Sequence, residues 1–111
     1  MATQVESLAD RKCAPCREGT PPIKGRQLER LHEQIKDWKV IDDSRLEKEF
    51  RFPNFVKALE FVNRVGRLAQ EENHHPLIHL TWGRATIELW THKINGLSEN
   101  DFILAAKIDR L

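Results

Sequence analysis

The spacing of apolar residues after Gly25 is that of an amphipathic helix. These residues recur at intervals of three, four and three, at Leu28, Leu31, Ile35 and Trp38. The spacing places all four on one face and predicts a helix of about three turns. The letters WKVID that follow are typical of a short strand, and DDSR is typical of its turn. The stretch LEKEFRF then alternates between apolar and polar positions, which predicts a half-buried strand.

A longer apolar pattern fills residues 54–72 and predicts a second helix, because Pro53 is tolerated at a helix start. Its apolar positions form two adjacent stripes, which predicts a helix buried over a broad face. The stripes are Phe55, Leu59, Val62, Gly66 and Ala69, and Ala58, Phe61, Val65 and Leu68. Pro76 disfavours helical angles at the residue before it and so marks the end of this helix.

The remaining pattern predicts a second hairpin and a last helix. LIHLTW and RATIELWTH flank Gly83 and alternate as paired strands do. The stretch SENDFILAAKIDRL follows, with a Ser-x-x-Asp capping box at Ser98 and Asp101 that predicts a helix start. The order helix, two strands, helix, two strands, helix predicts an α+β fold. We expect a four-stranded antiparallel sheet with three helices packed on one face.

Length and composition limit the classes of protein that fit this pattern. The chain has 111 residues and 40% hydrophobic residues, which suits one domain. We divide it into a polar N-terminal arm, residues 1–22, and a folded domain, residues 23–111. No apolar run approaches the roughly 20 residues that span a bilayer, so no membrane partner is expected. The N-terminus has no apolar h-region, so we expect a cytoplasmic protein.

The net charge is +1, from 18 basic and 17 acidic residues, so no nucleic-acid partner is expected.

The arm carries both cysteines of the chain in the motif CAPC, at Cys13 and Cys16. A structural zinc needs four ligands and a second CxxC is absent. A thioredoxin-like motif lies between a strand and a helix, whereas loop-like residues flank this one. A reduced tail, a metal or partner contact and a redox role are the three interpretations.

Three of the five histidines lie within ENHHPLIHL, from Glu72 to Leu80. His74 and His75 stand where the second helix ends and a strand begins, and His92 ends the paired strand. The hairpin can therefore bring His74, His75 and His92 to one cavity. Metal binding, acid–base catalysis near neutral pH and a purely structural capping role all fit histidine here. No H-E-x-x-H motif supports a metal site, and a helix cap alone explains Asp101.

Three motifs together resemble a known family. ENHHP, LTWGRATIELWTH and GLSENDFILAAKID resemble the pterin-4a-carbinolamine dehydratases, and the resemblance covers residues 23–111. It implies a four-stranded antiparallel sheet with three helices on one side, assembled as a homodimer or homotetramer. The implied reaction removes water from 4a-hydroxytetrahydropterin to give quinonoid dihydropterin, without a metal or cofactor. In this family the reaction recycles the tetrahydrobiopterin cofactor of aromatic amino acid hydroxylases.

The resemblance also assigns roles to single residues. It implies a catalytic set of His74, His75, His92 and Asp101. His75 is further expected to bind the substrate together with Ile78 and Trp82; Trp82 is the aromatic of the signature, and Ile78 stands where some members have tryptophan. Two positions depart from the family, since Gln70 replaces a frequent acid and Asn100 replaces a basic residue of some members.

The same fold supports an alternative function, a non-catalytic partner-binding or transcriptional coactivator module. Such a module needs a dimerisation surface and no histidines. The CAPC motif lies outside the matched residues, so we expect the arm to lie outside the site and to be dispensable for the reaction.

Overall fold

The structure is a computed structural model and describes residues 7–111. Three helices and four strands follow the predicted order. They are α1 (Gly25–His32), β1 (Lys39–Ile41), β2 (Arg45–Arg51), α2 (Phe55–Glu72), β3 (Leu77–Thr81), β4 (Arg84–Leu89) and α3 (Glu99–Ile108). Two single turns of 3-10 helix are also present, at Leu8–Asp10 and His92–Ile94. The strands form one antiparallel sheet in the order β1-β2-β4-β3, so the predicted α+β fold is confirmed.

The register of the sheet explains why only one of its faces is buried. Leu46 of β2 is opposite Leu89 of β4, and Ile78 of β3 is opposite Ile87. These residues alternate with polar ones, so Leu46, Ile78, Ile87 and Leu89 point to the side of the helices, whereas Leu77 at the start of β3 is exposed on the other face. Leu46, Ile87 and Leu89 have no exposed surface and join one core with residues of α1, α2 and α3.

The first helix is shorter than its apolar spacing predicts. It ends at His32, although Ile35 and Trp38 are buried as expected. Asp37 has a left-handed φ of 60°, which turns the chain before β1. The His32 ring also bonds to the Trp38 carbonyl oxygen at 2.5 Å and fixes this turn.

The second helix buries a narrower face than predicted. Ala58, Phe61, Val65 and Ala69 are buried. Phe55 and Leu59 of the other stripe are 43% and 38% exposed, because the sheet covers only one side of α2.

The strand β4 also ends earlier than predicted, at Leu89 and not at His92. The chain then makes a tight loop that is closed by an isolated bridge between Thr91 and Gly96. His92 begins the 3-10 turn inside this loop. The loop places His92 at a cavity that Asn100, in the first turn of α3, also lines.

The described part of the arm lies against the domain. Leu8 is only 3% exposed and belongs to the hydrophobic core. The backbone N–H of Ile23 donates to the Leu97 carbonyl at 2.8 Å. Residues 1–6 of the predicted arm lie outside the described residues. Within residues 7–111, no helix combines the length and the apolar character that crossing a bilayer requires.

Candidate active site

The end of α2 directs the histidine pair out of the helix. Asn73 caps α2 with a left-handed φ of 52°, a conformation that asparagine tolerates better than most residues. The backbone N–H of His74 then donates to the Ala69 carbonyl at 3.1 Å. Pro76 follows and prevents the helix from continuing. His74 and His75 are therefore held at a fixed junction between α2 and β3.

Asp101 lies beneath this junction in the first turn of α3 and has no exposed surface. Its Oδ2 accepts from the backbone N–H of Ser98 and from the hydroxyl of Thr91, both at 2.9 Å. Its Oδ1 accepts from Nε2 of His74 at 2.6 Å. One carboxylate oxygen therefore serves the predicted capping box, while the other is committed to a histidine. The cap and the histidine pair coexist.

The buried hydrogen bonds form a directed chain. The hydroxyl of Thr91 has one proton and donates it to Asp101. The Ser98 hydroxyl lies 2.7 Å from Thr91 Oγ1 and must therefore be the donor in that hydrogen bond. An ionised carboxylate can only accept, so Nε2 of His74 carries a proton. When the His74 ring is neutral, its Nδ1 must then hold a free lone pair. Asp101 fixes the tautomer of His74, as an acid partner does in other histidine sites.

The other two histidines have no carboxylate partner among the hydrogen bonds of residues 7–111. His75 is exposed, and its Nε2 donates to the amide oxygen of Gln70 at 3.0 Å. The partner of His75 is therefore a neutral amide, whereas the partner of His74 is a carboxylate. The ring of His92 packs against the Trp90 ring, with 4.5 Å between their centroids.

A cavity of about 320 Å³ joins these side chains. Its volume lies at the small end of the range of about 300–1,000 Å³ that is usual for ligand pockets. Its walls include the three histidines that the sequence singled out, and Asp101 lies behind His74. The lining residues that matter here are His74, His75, Thr91, His92, Asn100 and Cys16. This cavity is called the histidine pocket below.

Ile78 and Trp82, which the resemblance implies as substrate-binding residues, do not line the histidine pocket. Ile78 is opposite Ile87 and packs against the hydrophobic core. Trp82 lies at the tip of the β3–β4 hairpin, 69% exposed, beside Phe52 and Arg84. The strand β3 leads away from His75 by about 3.3 Å per residue, so this aromatic lies at the far end of the sheet.

The pocket has one wall that sequence reasoning did not predict. Ala14, Pro15 and Cys16 of the arm line it together with the histidines. The expectation that the arm lies outside the site is therefore wrong. The side-chain amide of Asn100, one of the two positions where the sequence departs from the family resemblance, holds this segment by hydrogen bonds to Ala14.

The two cysteines differ in environment. Burial, followed by the nearby Glu72 carboxylate, raises the pKa of the Cys13 thiol to about 12. The Cys13 thiol lies 3.6 Å from the Asn100 carbonyl oxygen, to which it donates a weak hydrogen bond. Cys16 is half-buried and faces the histidine pocket. Within residues 7–111, no three His, Cys, Asp or Glu side chains are grouped so that they could hold a metal ion.

Comparison with known proteins gives the family. The sequence profile of the family described as pterin 4 alpha carbinolamine dehydratase matches residues 21–111. A protein of Rubrobacter xylanophilus is 56% identical over 107 residues, 96% of this chain and 100% of the relative. A protein of Alkaliphilus metalliredigens is 50% identical over 107 residues, 96% of each chain. Both relatives carry the provisional name pterin-4-alpha-carbinolamine dehydratase. The chain belongs to the pterin 4 alpha carbinolamine dehydratase family.

Two solved structures have the same fold. A transcriptional coactivator/pterin dehydratase from Brucella melitensis superposes with a TM-score of 0.75 at 23% identity, over 80% of this chain and 96% of that one. A pterin dehydratase-like protein identified as a RuBisCO assembly factor in the alpha-carboxysome gives 0.58 at 24% identity, over 67% and 87%.

Proposed function

We propose that this protein dehydrates a 4a-hydroxytetrahydropterin to quinonoid dihydropterin and water, as a step in the recycling of tetrahydrobiopterin. The observation that carries the proposal is the buried Asp101–His74 pair, which opens on a cavity shared with His75 and His92. A cavity of this volume suits a compound of two fused rings. The family membership supplies the class of substrate.

The reaction requires two proton transfers and no change of oxidation state. The hydroxyl at the 4a carbon leaves as water after it gains a proton, and the neighbouring ring nitrogen loses its proton. The electron pair of the nitrogen–hydrogen bond becomes the new carbon–nitrogen double bond. One general acid and one general base are therefore sufficient, and histidine can serve as either near neutral pH.

The environments of the histidines suggest a division of these roles. His74 is the base, because its Nε2 is bound to Asp101 and its Nδ1 can accept the proton from the ring nitrogen. His92 is the acid that protonates the departing hydroxyl. His75 holds the substrate by a hydrogen bond. Asp101 positions His74 and stabilises the imidazolium that forms when His74 accepts the proton.

A purely structural role for these residues explains less of the geometry. Capping α3 needs only one oxygen of Asp101, and a buried carboxylate is costly unless each oxygen has a partner. The second oxygen pairs with a ring that lines an open cavity.

The direct test is the rate of dehydration of freshly generated 4a-hydroxytetrahydropterin, followed by absorbance. Catalytic amounts of the purified protein should accelerate the reaction far above its spontaneous rate. Dehydration no faster than the spontaneous reaction, by a protein that still binds a pterin, would indicate binding without turnover and would favour the alternative.

The alternative is a non-catalytic partner-binding module of the same fold. The names of the two structural neighbours mention a coactivator and an assembly factor. A hydrophobic patch near the start of α2 offers a surface for such contacts, since Phe55, Val56 and Leu59 are 43%, 61% and 38% exposed. Dehydratase activity that disappears when the histidines are replaced distinguishes the two functions.

We expect the protein to form a homodimer or homotetramer. Strands β1 and β3 are sheet edges with unpaired backbone groups, and such edges and apolar patches favour association. Light scattering at micromolar concentration should give a multiple of the 13.0 kDa chain mass. Val56→Asp should weaken the assembly if the α2 patch is buried in it. A wild-type protein that is entirely monomeric would contradict the expectation.

We also expect the dehydration rate to be independent of added metal. The proposed steps are proton transfers between the substrate and His74 and His92, so none needs a Lewis acid. Dialysis against a chelator should leave kcat unchanged. Loss of activity in the chelator, with recovery on addition of zinc alone, would contradict this mechanism.

A further inference from the structure

A short segment of the arm closes one side of the histidine pocket. This segment, residues 11–16, is called the strap. Arg11 forms an ion pair with Glu99 at the start of α3, at 2.7 Å. The backbone N–H of Cys13 donates to the Glu72 carboxylate at the end of α2, at 2.9 Å. The strap therefore bridges the end of α2, just before His74, and the start of α3, which carries Asp101.

Asn100 holds the strap by a two-point hydrogen bond. Its side-chain oxygen accepts from the backbone N–H of Ala14 at 2.9 Å, and its side-chain N–H donates to the Ala14 carbonyl at 2.6 Å. An amide side chain thus pairs with the backbone as a neighbouring β-strand would. Asn100 is only 9% exposed and directly precedes Asp101. One turn of α3 therefore fixes both the strap and the partner of His74.

The residues after this clamp face the pocket. Ala14, Pro15 and Cys16 line it, and none of them carries a formal charge in its ordinary protonation state. The ring of Pro15 fixes its backbone φ near −65°, so the wall is stiff at this point. An uncharged, stiff wall suits the face or the apolar edge of a planar ring better than a charged group. The histidines supply the polar side of the same cavity.

We propose that the strap is a substrate-binding wall of the pterin site and that Asn100 is the positioning residue that holds it there. The inference rests on the proposed function, since it assigns the strap to the ligand of that reaction. The strap contacts the unreactive part of the ring, while the histidines act at the 4a carbon and its neighbouring nitrogen. The strap lies outside the residues that the family profile matches.

The two cysteines provide a direct probe of this wall. Alkylation requires the thiolate, and the raised pKa of Cys13 makes its thiolate scarce at neutral pH. Cys16 lines the pocket, so iodoacetamide should modify Cys16 first. Dihydrobiopterin, a stable reduced pterin, should slow this reaction. At about ten times its dissociation constant the rate should fall about tenfold, because only the free protein reacts. Cys13 should react slowly with or without the pterin.

Asn100→Asp tests the clamp, and circular dichroism should first establish that the variant is folded, because it places a carboxylate at a position that is only 9% exposed. A carboxylate cannot donate to the Ala14 carbonyl and repels it, whereas an acid in the first turn of α3 favours the helix. The KM for the hydroxylated pterin should rise about five- to tenfold, the scale of one lost hydrogen bond. The kcat should change much less, since the wall contributes binding shared by the ground and transition states. Asn63→Asp, the same change at an exposed position of α2, is the matched control.

The outcomes separate the strap from the reaction. If dihydrobiopterin binds without protecting Cys16, or if Asn100→Asp and Asn63→Asp have the same KM, the strap inference is overturned and the dehydratase stands. A lower melting temperature of Asn100→Asp with an unchanged KM also overturns it, because the clamp is then only structural. A protein that shows no dehydration but protects Cys16 with dihydrobiopterin overturns the proposed function and retains the strap as a pterin wall. A protein that neither dehydrates nor binds the pterin overturns both.

Discussion

Replacing His92 with alanine should lower the kcat of dehydration by about 100- to 10,000-fold, the usual contribution of one general acid or base. His92 is exposed, begins a 3-10 turn and packs against the Trp90 ring, so its loss removes a proton donor and little buried surface. The KM should change far less than kcat, because the lost interaction acts in the transition state. Steady-state kinetics with freshly generated substrate measures both constants.

His75→Ala is the matched comparison for this prediction. His75 is also exposed and its ring bonds to the neutral amide of Gln70, so we assign it to substrate binding. Its alanine variant should chiefly raise the KM, since loss of binding common to both states leaves kcat unchanged. Circular dichroism should show that both variants are folded. Equal kinetic effects of the two replacements would refute the division of roles, and unfolding of both would support a structural role.

Replacing Asp101 with asparagine should lower kcat by roughly 10- to 100-fold, which corresponds to the ~1.5–3 kcal/mol of a hydrogen bond to a charged group. The asparagine oxygen can still accept from Ser98 and Thr91. Its NH2 group then faces His74, however, and can only donate. His74 must present a lone pair at Nε2 and carry its proton on Nδ1, the nitrogen that we propose as the base.

Ser98→Ala separates this effect from the loss of a helix cap. It removes a capping hydroxyl at a cost of about 0.5–2 kcal/mol of stability, but it leaves the Asp101–His74 pair in place. We expect Ser98→Ala to lower the melting temperature and to keep most of kcat. If Asp101→Asn lowers stability and kcat no more than Ser98→Ala does, Asp101 is only a cap and the proposed positioning role is wrong.

The elements that the sequence predicted well are those with a strong local signal. The apolar periods, the turn at Gly83 and the Ser98–Asp101 box each depend on neighbours within a few residues. The predicted end of α1 was wrong, because Asp37 adopts a left-handed backbone conformation that the spacing of apolar residues does not reveal. The predicted width of the buried face of α2 was wrong as well. The spacing shows which positions are apolar, but it does not show which of them contact the sheet.

The candidate site divides in the same way. The hairpin and the helix end predicted that His74, His75 and His92 approach one another, and all three line one cavity. The partner of each histidine depends on contacts between distant parts of the chain, such as Asp101 for His74. The strap depends on the most distant of these contacts, because Ala14 and Asn100 are hydrogen-bonded although 86 positions separate them in the sequence. No local pattern encodes such a contact, and a polar arm with two cysteines resembled a free tail.

The structure shows what Gln70 and Asn100, the two positions that depart from the family resemblance, contact. Gln70 supports His75 with a neutral oxygen, so His75 lacks the carboxylate partner that His74 has. Asn100 uses both ends of its amide on the strap, a pairing that a basic side chain cannot make. The two substitutions thus leave the Asp101–His74 pair intact and alter the supports on either side of it.

The most direct measurement is the rate of dehydration of freshly generated 4a-hydroxytetrahydropterin by the wild type and by the double variant His74→Ala/His92→Ala, at equal protein concentration. Circular dichroism and titration with dihydrobiopterin should first establish that the variant is folded and still binds a pterin. The account predicts rapid turnover by the wild type and a rate near the spontaneous one for the double variant. A folded double variant that retains the wild-type rate would contradict it, because the chemistry would then lie outside the histidine pocket.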